Sequence, residues 1–162
     1  MSKLTLNAEP GSHAIEIVRE FDAPRDFVFA VWTDPALVPA WWGPEGITTI
    51  VDRMEPRKGG SWRYVQRGPG GEEYAFNGVY HDVVAPERVT FTFEFEPMPG
   101  HVLLETVRFE ELPGGRTRMV DSSVFQSVAD RDGMLASGME GGAAASMDRF
   151  AALLDRLRQE RG

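Results

Sequence analysis

The stretch from Met134 to Gln159 constrains the fold more than any other part of the chain. Its apolar residues Met139, Ala143, Met147, Phe150, Leu154 and Leu157 recur at steps of four, four, three, four and three. That spacing puts them on one stripe of an α-helix. Asp148, Arg149, Asp155, Arg156 and Gln159 fall on the opposite face and are expected to stay wet. Burying the stripe is worth on the order of 10 kcal/mol before entropy, at roughly 1.5–3 kcal/mol per large side chain. The same helix alone in water would be marginal. The rest of the chain must therefore supply a broad apolar surface for it to lie on.

Most of that chain reads as strands. Residues 1–12 show no periodicity, contain Pro10-Gly11 and are expected to be a loose lead-in. From Ala14 to Phe21, Ile15, Ile17 and Phe21 share one face of a first strand, interrupted by Arg19. Asp22-Ala23-Pro24 predicts a capped helix start, with Phe27, Val28, Val31 and Trp32 as the buried side. Asp34-Pro35 repeats the signal for a second short helix, ended by Trp41-Trp42-Gly43-Pro44. The period then switches to two: Thr48–Glu55, Ser61–Arg67, Glu73–Val84, the strictly alternating Val89, Phe91, Phe93 and Phe95, Val102–Leu112 and Arg116–Gln126. Antiparallel strands in such a run twist and curl. A curled sheet has a concave side that the last helix is long enough to close, leaving an apolar cavity between them.

With 162 residues, 42% hydrophobic and 26% charged, the chain suits one domain, 1–162, with a core of its own. No internal repeat or change of composition marks a boundary. The formal charge of −8 and the scattered arginines speak against nucleic acid, whose phosphates need clustered Lys and Arg. Arg156, Arg158 and Arg161 instead suit the C-terminal end of a helix dipole. No apolar run is long enough for membrane insertion and no signal peptide opens the chain, so we expect a cytoplasmic protein. The absence of cysteine excludes disulfides and thiolate chemistry. His13, His81 and His101 lack metal-ligand spacing, no phosphate loop joins a strand to a helix, and no Gly-x-Ser-x-Gly elbow is present. We expect neither metal nor cofactor.

Several short motifs occur in a telling order. Phe21-Asp22-Ala23-Pro24 with Val28-Phe29 is followed by Thr33-Asp34-Pro35 and Trp41-Trp42-Gly43-Pro44. Gly59-Gly60, Asn77-Gly78-Val79-Tyr80 and Pro86-Glu87-Arg88 come next. Gly114-Gly115-Arg116-Thr117-Arg118 and Ser137-Gly138-Met139-Glu140-Gly141-Gly142 complete the set. As an ordered set over roughly residues 14–157, they resemble the START-like (SRPBCC) superfamily, in particular the branch named after the activator of the heat-shock-protein-ninety ATPase. The resemblance implies an α+β helix-grip fold: a curved antiparallel sheet of about seven strands around a long C-terminal helix, with two short helices between the first two strands. Many members carry a larger residue where this chain has Ala143-Ala144-Ala145, so the gap between helix and sheet is expected either to widen or to close up there.

Trp41, Trp42, Trp62, Tyr64, Phe76 and Tyr80 form the aromatic set expected to contact a ligand, since indole N–H and phenol O–H groups add polar handles to an apolar wall. Met139 and Ala143 would face them from the helix. Glu105 shares parity with Leu103, Val107 and Phe109, and Asp121 with Met119 and Phe125, so both carboxyls are expected to point inward. Such groups have raised pKa values suited to acid–base work; otherwise they are structural ion pairs, with Arg19, or Arg63 and Arg108 on the opposite parity, as partner. Gly138, Gly141 and Gly142 cost about 1 kcal/mol each in a helix. They fit a close helix–sheet approach, a kink, or a pliable gate at the cavity mouth.

Three functions follow. The first is binding of a small apolar or amphipathic molecule in the cavity. The second is a cyclase- or hydrolase-type enzyme using Glu105 and Asp121. The third is a chaperone-regulating module. For the third the branch name is an analogy of fold. Relatives acting on the chaperone carry a further N-terminal domain that this chain lacks, so a chaperone partner is not expected. A monomer and a homodimer are equally compatible with the sequence.

Overall fold

A computed structural model describes residues 3–161. Among these, eight strands form one antiparallel sheet in the order β1-β2-β8-β7-β6-β5-β4-β3. They are β1 (Thr5–Asn7), β2 (Ala14–Phe21), β3 (Thr48–Met54), β4 (Ser61–Arg67), β5 (Glu73–Val84), β6 (Arg88–Phe95), β7 (Val102–Leu112) and β8 (Arg116–Val124). Helix α1 (Arg25–Trp32) and a 3-10 turn (Val38–Ala40) lie between β2 and β3; α2 (Val128–Ala136) and α3 (Met139–Arg161) follow the sheet. This is the helix-grip arrangement, with one strand more than expected. The addition is β1, a three-residue edge strand within the segment read as loose, where Leu6 pairs with Ile17. Three residues are too few to show a period of two.

Alternation sets which face each strand buries. β2 alternates half-buried and buried along its whole length, with Ile15, Ile17, Arg19 and Phe21 inward. β6 buries Val89 and Phe91, and β7 buries Leu103, Val107 and Phe109. Register shifts between Val51 and Arg53 and between Tyr80 and Asp82 put bulges in the sheet, which increase local twist and bend. Beside the second bulge, Gly78 lies hard against the Thr92 carbonyl and the Trp62 indole, leaving no room for a Cβ. Trp62 Nε1 donates to that carbonyl at 3.1 Å.

Arg19 is not the partner of the inward carboxyls. It is 2% exposed, and its Nη1 pairs with Asp148 of α3 at 2.9 Å. Arg63 pairs with Glu96, and Arg108 is exposed. Two expected helix signals also act differently. The α1 cap position is Pro24, with no side-chain cap, while Asp22 accepts from Arg116 Nε at 2.7 Å. After Asp34, whose carboxylate accepts from the Ala36 amide, the chain makes only a 3-10 turn.

The Met134–Gln159 stretch spans two helices. Gly138, at φ +83°, breaks it, a left-handed conformation that ends helices and suits glycine. α2 begins earlier than Met134, capped by Ser127 Oγ, which accepts from the Asp130 amide at 3.0 Å. Its buried Arg131 donates to the Glu9 carbonyl at 2.6 Å, tying α2 to the lead-in. On α3 the buried stripe is Ser146, Met147, Phe150, Leu153 and Leu154. Leu153 joins the expected set, while Met139, Ala143 and Leu157 are only half-buried. Phe150 is fully buried and meets Phe21 and Trp41 edge-on at 5.2 and 4.9 Å between ring centroids. The middle of α3 thus carries the packed core. No close approach explains Gly141 and Gly142, because a Cβ on either would have nothing within 4 Å.

Candidate functional site: a cavity under the grip helix

At the N-terminal half of α3 the helix and sheet do not close up. A cavity of about 380 Å³ lies between them, at the lower end of the 300–1,000 Å³ range of small-molecule sites. Every residue expected to contact a ligand lines it: Trp41, Trp42, Trp62, Tyr64, Phe76, Tyr80, Glu105, Met139 and Ala143, with Asp121 as well. The sheet provides these positions from β4 to β8, and the α1–β3 connection swings Trp41 and Trp42 over one side. A second space of about 490 Å³, between α2, β6 and the segment around Met98, shares Phe76, Phe93, Leu103, Phe125 and Met134 with the first. The two adjoin, and the shared wall is wholly apolar.

Trp41-Trp42-Gly43-Pro44 is held by α3. Ser146 Oγ donates to the Trp41 carbonyl at 2.8 Å and accepts from the Gly43 amide at 3.2 Å. Arg149 Nη1 donates to the Gly43 carbonyl at 2.6 Å. Thr49 Oγ1 donates to the Trp42 carbonyl at 2.7 Å. Arg149 therefore does not point to water as its helical position suggests. Trp42 meets Tyr64 and Phe76 edge-on at 5.0 and 5.1 Å, and Trp62 lies 4.7 Å from Tyr64, making one aromatic wall. Trp41 is 3% exposed, and no acceptor among the described residues reaches its Nε1.

The polar end of the cavity is acidic. Asp121 pairs in register with Val107 and Glu105 with Ser123, so the two carboxyls are diagonal neighbours on β8 and β7. Both retain some accessible surface, but protein surrounds them, and what they face is the cavity. Burial pushes the Glu105 carboxyl well above the usual range, and the adjacent Asp121 charge and hydrogen bond push it further. Burial raises Asp121 to about 6, against a hydrogen bond from Glu105 that lowers it. Asp121 Oδ1 is buried, and no hydrogen-bond partner among the described residues reaches it. Close by, burial raises Tyr64 well above the usual phenol range, helped by Tyr80 and Glu105, and carries Tyr80 to about 12. Neither phenol ionises near neutrality. No Lys, Arg or His lines this cavity. Among the described residues no three His, Asp or Glu converge as metal ligands, and no helix is long and apolar enough to cross a membrane.

Ser123, Gln66 and Ser146 also line the cavity, and sequence reasoning did not single them out. Ser146 stands three residues after Ala143 and four before Phe150, so its place on the buried stripe was a usable signal.

An open antiparallel sheet gripping a C-terminal helix over an internal cavity defines a START-like helix-grip protein. The family model described as "Activator of Hsp90 ATPase homolog 1-like protein" matches residues 22–155. The chain belongs to that family. Its fold is shared by a protein from Arthrobacter aurescens, solved by NMR, at 29% identity and TM-score 0.86, covering 94% of this chain and 91% of that one. A crystal structure from Rhodobacter sphaeroides matches at 26% identity and TM-score 0.87, covering 95% and 99%. Another from Mycobacterium smegmatis matches at 26% identity and TM-score 0.84, covering 93% and 96%. No curated protein matches the chain.

Proposed function

We propose that the protein binds a small apolar or amphipathic molecule in the space between α3 and the sheet. The observation carrying this reading is the cavity of about 380 Å³, walled by aromatic rings and sharing an apolar wall with a second space. A core serving stability alone would close such a volume, because unfilled space forfeits packing energy. Denaturing extraction of the purified protein followed by mass spectrometry should release a stoichiometric compound. Adding that compound back to stripped protein at about 100 times its Kd should stabilise the fold by ~2.7 kcal/mol. Extracts without any stoichiometric compound, together with no thermal shift from a panel of apolar small molecules, would refute the reading.

The neighbouring Glu105 and Asp121 carboxyls support a second reading, an enzyme of the cyclase or hydrolase type. One member would give a proton and the other accept it while the closed walls hold the substrate in position. Turnover that Glu105→Gln abolishes while leaving binding intact would favour it over simple binding.

A further inference from the structure

We propose that the cavity selects ligands bearing a protonated amine on an apolar body, with the Glu105–Asp121 pair as counter-ion and the aromatic wall as cradle. This deepens, and rests on, the reading of the cavity as a ligand site. The argument starts from an imbalance of charge. Two carboxyls on adjacent strands face one cavity, and Asp121, raised by burial only to about 6, leaves the pair negatively charged at neutral pH. A buried ion persists at reasonable cost only when paired. Among the described residues no Lys, Arg or His lines the cavity, and Arg19, the inward arginine of β2, turns its Nη1 to Asp148 at 2.9 Å. Asp121 Oδ1 is buried with no hydrogen-bond partner among the described residues.

The surroundings narrow the choice of counter-ion. An inorganic cation needs several oxygen ligands, and the other side chains bordering the pair are mainly aromatic and aliphatic. An organic ammonium suits the site better. It donates to the carboxyls through charge-assisted hydrogen bonds, and the faces of Trp62, Tyr64 and Tyr80 attract its positive charge. Its apolar body then lies along Phe93, Leu103, Phe125 and Met134, the apolar wall shared with the second space. A carboxylic acid of the same shape brings further negative charge to the pair, and an alcohol leaves the existing charge unpaired.

The test compares 2-naphthylmethylamine, 2-naphthylmethanol and 2-naphthoic acid by titration calorimetry near neutral pH. The probes are given to the stripped wild-type protein and to a Glu105→Gln/Asp121→Asn double variant checked for fold by circular dichroism. Wild type should bind the amine at least about tenfold more tightly than the alcohol, as one charge-assisted contact allows. The acid should bind most weakly. In the double variant the amine's advantage should shrink to within about threefold while the alcohol's affinity holds. Alcohol or acid binding as tightly as the amine in wild type would overturn the proposal and leave the cavity reading standing. So would an amine preference that survives in the double variant. Binding of none of the three would count against both. Should the double variant not fold, the wild-type order of the three probes decides.

Discussion

Asp121→Asn should make the protein more stable at alkaline pH and hardly change it in acid. In the folded chain burial raises the Asp121 carboxyl from 3.8 to about 6, and Glu105 beside it titrates higher than its ordinary value. The folded state therefore holds protons that the unfolded chain releases once the pH passes the ordinary carboxylate range. Because the folded state binds more protons, stability falls as pH rises through that interval. A rise from 3.8 to about 6 amounts to ~3 kcal/mol, at ~1.4 kcal/mol per pH unit. Asparagine keeps the shape, removes the titrating group and takes the like charge away from Glu105. Near pH 4 variant and wild type should melt within a degree or two of each other, and near pH 8 the variant should gain up to ~3 kcal/mol. For a chain of this size that is roughly 6–12 °C in Tm. Differential scanning calorimetry of both ligand-free proteins across this range gives the difference curve, in which titrating groups away from the pair cancel. A difference that does not vary with pH, or a variant less stable than wild type near pH 8, would refute the buried-pair reasoning.

Three further outcomes can be checked directly. Ala143→Leu projects into the cavity from α3 and should abolish binding of the natural ligand while leaving Tm unchanged or raised, read by calorimetry and thermal melts. Phe150→Ala removes the fully buried ring between Phe21 and Trp41 and should cost ~3–5 kcal/mol in urea denaturation, within the usual range for a core aromatic. Gly78→Ala drives a methyl into the Thr92 carbonyl and the Trp62 indole, which a central strand absorbs poorly; a loss of ~1–3 kcal/mol is expected by the same assay.

Sheet and grip helix were legible because their periods are simple. Val89, Phe91, Phe93 and Phe95 alternate with Thr90, Thr92 and Glu94, and a period of two fixes each strand's inner face. Parity also put Glu105 and Asp121 inward, but it could not name their partner. That depends on the β7–β8 register, which sets Asp121 opposite Val107 and one diagonal step from Glu105. The expected cation proved to be a second carboxyl. Arg149 was read as wet from its helical position, yet it donates to backbone carbonyls of Gly43 and Pro44 more than a hundred residues away. Helix periodicity carries no information about a loop folded over the helix flank. The break at Gly138 was one of three meanings open for the helix glycines, and the positive φ selects it.

The uneven packing of α3 has a consequence for how such a chain can change over generations. At Phe150, Leu153 and Leu154 the helix is packed into the core, where truncations are costly. From Met139 to Ala143 its side chains border empty volume, and a methyl added at Gly141 or Gly142 would touch nothing. A single helix thus joins a stretch that holds the fold to a neighbouring stretch that only borders the cavity, and the second can drift widely while the first stands still.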